Sequence, residues 1–415
     1  MHAFLLAVSV LSATLGQDPV TRKVTIGYTL DSAPAVVTID VKTNAGDNVW
    51  VSIGGCHQRR MFGDVNRVVT NRACAAYWIP DRESVGIVLA DARAEVTAWD
   101  LKDPPDWMTA SLVITNCVRY YASEDFLPEG VSTAMTYKTE KMVFRRVHAS
   151  GKTWRAGSPF YDQGVAGYYH RAFPYYVRLT NDYYLAIFQT TYQQERFATL
   201  GGNGYGWTTT GGSTVRHDLD SLLKPTTVYS YNALRGTPSG AFKGWPEAGH
   251  AVTSDSLLQK YRGLLGVDVD LPTEAQWEFA CRAGSSATIY TGKSSNVADN
   301  LKEVAWYKVN SDNASHPVGG RLPNAWGFHD MLGNYSEVCL DWYEKIETSD
   351  LRVEPGGPKE AKTARVTRGG SYSHDAQMCS APTRYEIAPT TGIAYRLWAP
   401  CEAKAPETAD GKGEE

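Results

Sequence analysis

Short runs of β-branched and aromatic residues recur about every dozen residues from Val24 to about Lys141, and turn-forming clusters separate them. Residues 24–30 (VTIGYTL) and 35–41 (AVVTIDV) flank the breaker Asp31-Ser32-Ala33-Pro34. A turn at 44–48 (NAGDN) leads into 49–53 (VWVSI), and further runs stand at 85–90, 94–99 and 111–114. Runs this short and rich in β-branched residues, with turns between them, suit strands better than a helical bundle. Such strands must pair.

The spacing predicts a β-sandwich of immunoglobulin or fibronectin type over residues 22–140. No catalytic constellation stands out within it, and its residues read as core and turn. Before it, residues 3–11 are apolar and residues 12–16 are small. That run is too short to span a bilayer and fits the apolar region of a secretory leader over residues 1–16, which predicts a secreted or periplasmic protein. The same run also reads as a first core strand. No later stretch is long and apolar enough for a membrane span. With 41 Lys and Arg against 45 Asp and Glu, the net charge is −4 and basic residues form no block. Nucleic acid therefore has no electrostatic footprint to meet.

Past Lys141 helical periods appear between loops. Thr191 and Gln194 form a capping-box pattern ahead of Phe197 and Leu200, with Gly201 as the stop. Ser256 to Leu265 carries a stripe of Leu257, Leu258, Tyr261, Leu264 and Leu265, closed by Gly266. Thr273 and Gln276 make a second capping box before Trp277, Ala280 and Cys281, which share one face, and Gly284 is the expected stop. The acidic, Gly-containing residues 402–415 cannot bury apolar surface and are expected to be disordered.

Seven cysteines are present, with no C-x-x-C spacing, and His170, His217, His250 and His329 share no metal-ligand spacing. A dedicated zinc site is not predicted. Asp330 and Glu337 flank a Gly333-Asn334 turn whose carbonyls would complete an oxygen-only set suited to Ca²⁺. Read without a metal, Asp330 caps a turn and Glu337 pairs with an arginine. Arg384, Tyr385 and Arg396 read as arginine stacked beside aromatic rings.

Three segments together resemble the formylglycine-generating enzyme, or sulfatase-modifying factor, family: 270–284 (DLPTEAQWEFACRAG), 316–334 (HPVGGRLPNAWGFHDMLGN) continuing to Tyr343, and 365–372 (RVTRGGSY) ending at 395–398 (YRLW). The resemblance places a loop-rich α+β domain related to the C-type-lectin fold over residues 143–400. It implies a structural calcium held by the side chains of Asp330 and Glu337 and the carbonyls of Gly333 and Tyr335, and a second calcium near Asn300 and the Leu301 carbonyl. It also implies Cu(I) held between two thiolates five residues apart, since soft thiolates select that ion, and oxidation of a protein cysteine. Here the second thiol position is Cys379, the first is His374, and Ser371 matches a serine near the active site. Imidazole is an acceptable copper ligand, yet one of the two thiols is gone; His374 also reads as a surface loop residue and Cys379 as a buried cysteine. Ser336 and Val338 stand where the family carries tryptophan, which predicts a reshaped cleft. Two functions follow: a divergent copper-dependent oxidase, or a non-catalytic lectin-like module that binds a protein or glycan.

Overall fold

The computed structural model describes residues 8–79, 89, 91–158, 173–201, 207–210, 213–216, 218–236, 252–295 and 297–405. The chain divides into two compact units: residues 1–109, 118–134 and 401–415 form one, and residues 110–117 with 135–400 form the other.

The first unit is built of β1 (Val10–Gln17), β2 (Val24–Leu30), β3 (Ala35–Asn44), β4 (Trp50–Ser52), β5 (Phe62–Gly63), β6 (Arg67–Val69), β7 (Ala73–Trp78) and β8 (Ala92–Trp99). One antiparallel sheet runs β1-β2-β7-β5; in the other, β3 pairs with β4, β6 and β8. In β2 the side chains of Val24, Ile26, Tyr28 and Leu30 are buried while Thr25 faces solvent, as a period of two requires. They share one core with Val37, Ile39 and Val41 of β3 and with Ala76 and Trp78 of β7. Trp78 is fully buried, and truncating such a ring costs about 3–5 kcal/mol.

The end of the apolar run and the small residues after it supply β1, which pairs antiparallel with β2 from Val10 opposite Leu30 to Gln17 opposite Val24. Most of its side chains are exposed, so it covers a sheet edge rather than filling the core. The strand expected at 111–114 instead lies upstream, as β9 (Trp107–Ser111), because residues 112–116 turn back through a Ser111 amide bond to the Cys117 carbonyl. A short strand follows as β10 (Val118–Tyr121). The run expected at 85–90 lies outside the described residues apart from Leu89, as do residues 406–415 of the tail.

The second unit holds short strands, β11 (Lys141–Val147), β12 (Thr153–Ala156), β13 (Tyr175–Arg178) and β14 (Tyr183–Ala186), with the helix α1 (Tyr192–Leu200) after them. A hairpin, β15 (Trp207–Thr210) with β16 (Ser213–Arg216), precedes the helices α2 (Leu219–Leu222), α3 (Tyr231–Arg235), α4 (Leu257–Leu265) and α5 (Glu274–Arg282). The last strands are β17 (Glu337–Trp342), β18 (Leu351–Val353), β19 (Arg365–Arg368), β20 (Arg384–Ile387) and β21 (Trp398–Pro400). Both predicted capping boxes form: Gln194 and Gln276 donate backbone N–H groups to Thr191 and Thr273 and accept from those residues' own amides. At the other end of α5 the cap is Ala283, with φ of 45°, one residue before the glycine expected to end it. No helix among the described residues is long and apolar enough to cross a membrane.

Candidate functional site

β17 and β19 lie side by side, with Glu337 opposite Arg368, and α5 packs its Trp277 face against them. This brings all three sequence segments together. Trp277 Nε1 donates to Glu337 Oε2 at 2.7 Å, and Arg396 clasps the same carboxylate through Nε to Oε2 (3.1 Å) and Nη2 to Oε1 (2.9 Å). Gln189 Nε2 adds a bond to Oε1 at 3.0 Å and one to the Tyr335 carbonyl at 2.6 Å. A carboxylate offers about four lone-pair positions, and these donors use them all.

Asp330 is different. Its Oδ2 accepts the Gly319 amide at 2.6 Å, while Oδ1 is buried without a hydrogen-bond partner. Burial pushes this carboxyl up to about 6, against the pull of the Gly319 amide and Arg396. The residues thus fit a cation at Asp330, where a buried oxygen lacks a donor, and not at Glu337, whose oxygens are engaged. Near the second calcium position the Leu301 carbonyl already accepts the amides of Val304 and Ala305, and Asn300 Nδ2 donates to the Ser294 carbonyl. Among the described residues no group of three or more His, Cys, Asp or Glu side chains is placed to hold a metal.

Beyond β19 the chain passes through Gly369 and Gly370, with φ of +92° and +74°. Glycine is required at both for space as well as for backbone. A Cβ on Gly369 would meet the Met331 carbonyl at 2.9 Å, and one on Gly370 would meet Cys379 Sγ at 2.7 Å. Cys379 is fully buried, its Sγ 3.5 Å from the Ser371 carbonyl, and burial pushes its thiol up to about 12. Ser371 Oγ lies 3.1 Å from Ser373 Oγ. His374 is half-buried on the loop, stacked on Tyr385 at 5.0 Å, and its carbonyl accepts the Lys308 amide. Ser371 and Cys379 are therefore brought into contact, while His374 is committed to Tyr385. Only one thiol stands at the pair and His374 is stacked on Tyr385, so these residues do not fit a two-thiolate copper site.

Several polar partners of the site were not singled out in sequence. Glu274 and Glu278 of α5 anchor a buried network: Arg384 takes both Glu274 oxygens at 2.7 and 2.6 Å, and Arg282 and Arg368 hold Glu278. Arg384 and Arg396, read as stacking residues, are primarily carboxylate partners, although Arg384 also lies 4.9 Å over the Tyr343 ring. Gln189 gave no signal, being one polar residue in a loop. Val338 is fully buried and Ser336 nearly so. His329, also buried, stacks on Phe188 at 5.1 Å, and burial pushes its ring down to about 4; the other three histidines considered lie outside the described residues.

Known proteins resemble parts of this chain. It is 32% identical over 134 residues to the formylglycine-generating enzyme of Thermomonospora curvata, covering 29% of this chain and 43% of that one. It is 32% identical over 123 residues to the chaperone protein LppX of Paenibacillus barcinonensis, covering 25% of this chain and 43% of that one. The chain thus spans less than half the length of these relatives. Treponema denticola variable protein 1 superposes with a TM-score of 0.46 at 22% identity, over 63% of this chain and 95% of its own. The family model of the sulfatase-modifying factor enzyme 1-like domain matches residues 155–395, more than half of the sequence. The chain belongs to the sulfatase-modifying factor enzyme 1-like domain family.

Proposed function

We propose that this chain is an exported, divergent member of its family whose sulfatase-modifying-factor domain does not generate formylglycine and instead binds a protein or glycan. Cys379 carries the proposal. The one thiol at the family's copper position points into the core beside Gly370 and Ser371, and the partner position holds His374, stacked on Tyr385. Oxidation of a substrate cysteine at a copper site of the family's kind needs two thiolates to hold the metal and room for a third. Ser336 and Val338, in place of tryptophans, alter the same region, and both are buried here. Incubating copper-loaded protein with a sulfatase-type cysteine peptide and weighing the product separates the proposal from the oxidase alternative.

The two antiparallel sheets of the first unit share one core, which supports an immunoglobulin- or fibronectin-like sandwich for that unit; the family resemblance supports a C-type-lectin-like second domain. Calcium is proposed at Asp330 alone, with Glu337 remaining on Arg396. For export, N-terminal sequencing of protein from its own host should find cleavage near Gly16, which takes β1 off the edge of its sheet in the mature protein. An intact Met1 on cytosolic protein would contradict it.

A further inference from the structure

A cavity of about 210 Å³ opens beside the first turn of α5 in the second unit, away from Cys379 in sequence and in partners. Its walls set Tyr175, Trp342, Ile346 and Pro358 beside the charged Glu274, Asp341, Glu344, Arg352 and Arg384, so a ligand would touch polar and apolar surface in about equal measure. The charged groups in the wall divide sharply by what they already hold. Glu274 is taken by Arg384, and exposed Glu344 has Lys362 at 3.6 Å. Arg352 and Asp341 are left over.

Arg352, half-buried on β18, lies 5.2 Å over the Tyr175 ring and has no hydrogen bond or ion pair through its guanidinium among the described residues. Asp341 is 3% exposed, and its Oδ2 accepts the Glu274 amide at 2.7 Å. Its Oδ1 has no donor among the described residues. Burial and the neighbouring Glu274 charge push the Asp341 carboxyl up to about 7, so an added cation would relieve it. Gly357, at φ of +76°, lets the loop after β18 close on this carboxylate, since a Cβ there would meet Asp341 Cβ at 2.9 Å.

We propose that this cavity binds a free α-amino acid with an apolar side chain, its carboxylate on Arg352 and its ammonium group on Asp341. A guanidinium without an ion pair and a buried carboxylate with one oxygen unused, both lining one small cavity with a partly aromatic wall, match a ligand that carries both charges on a small body. A phosphate or dicarboxylate would set a second negative charge against Asp341 and Glu274. A plain amine would leave Arg352 unmatched.

Titration calorimetry on the full chain tests the site with L-phenylalanine and L-leucine. Two truncated probes, 3-phenylpropionate without the ammonium and phenethylamine without the carboxylate, serve as controls. At least one of the amino acids should bind saturably, and each truncated probe should bind at least about tenfold more weakly. Arg352→Gln should weaken the amino acid by at least about tenfold while leaving phenethylamine unchanged. Arg352 is half-buried and makes no ion pair among the described residues, so a melting curve matching the wild type will show that this variant folds. Absence of binding by both amino acids up to roughly 10 mM would overturn the proposal, as would undiminished binding by folded Arg352→Gln.

Discussion

Glu337 and Arg396 form a fully buried two-point ion pair in which the arginine also donates to the carbonyls of Ala186, Ile187 and His329. One residue opens β17 and the other lies 59 positions on, so the pair ties β17, the chain after β14, and the C-terminal segment into one unit. It also removes Glu337 from the set of free carboxylates that a metal could recruit.

Breaking that pair should be costly. Arg396→Gln leaves a carboxylate buried with too few donors, and removal of one partner from such a pair costs about 3–5 kcal/mol. Denaturant unfolding of the isolated variant checks it; a loss below about 1 kcal/mol would mean that the pair is solvated in solution.

Glu195 should make stability fall with rising pH. Burial raises its carboxyl to about 7 even though Thr226 donates to Oε2. Its folded value lies above the unfolded one, so the folded state binds the extra proton. Its contribution is complete below about pH 4.5 and lost as pH rises through about 7. Glu195→Gln keeps an acceptor for Thr226 and cannot ionise. Relative to wild type it should gain on the order of 2–3 kcal/mol between pH 4 and pH 8. Parallel melting curves for the two proteins across that range would contradict this.

Calcium should act through Asp330. If an ion completes its unpartnered Oδ1, a chelator lowers the melting temperature, and added calcium restores it. Asp330→Asn should abolish the response. A wild-type melting curve indifferent to both treatments would remove calcium from the molecule's stability.

Cys379 should be inert in the native state. A buried thiol pushed up to about 12 has almost no thiolate at neutral pH, so iodoacetamide should label it only after unfolding. His374→Cys restores a second thiol at the family's position and should tighten Cu(I) binding. Rapid native labelling of Cys379 would contradict its burial.

Local features of the fold were legible in the sequence. The two capping boxes are settled by residues three apart, β2 by its own alternation and β3 by its β-branched run. β7 went unseen because Ala73, Cys74, Ala75 and Ala76 carry little β-branched signal; pairing with β2 makes it a strand. At the site, the residues at the family's positions were legible one by one, whereas their partners were not. Glu274 meets Arg384 across 110 residues and Glu337 meets Gln189 across 148. Such pairs exist only after the sheets form, and no local pattern announces them. The alternative in which Glu337 pairs with an arginine, rather than a metal, was visible in residue type alone.

The absence of formylglycine formation is tested most directly by incubating copper-loaded protein with a cysteine peptide and measuring aldehyde by mass spectrometry. The expected result is unmodified peptide. Multiple turnovers to the aldehyde, abolished by Cys379→Ser, would contradict it and make His374 a working ligand.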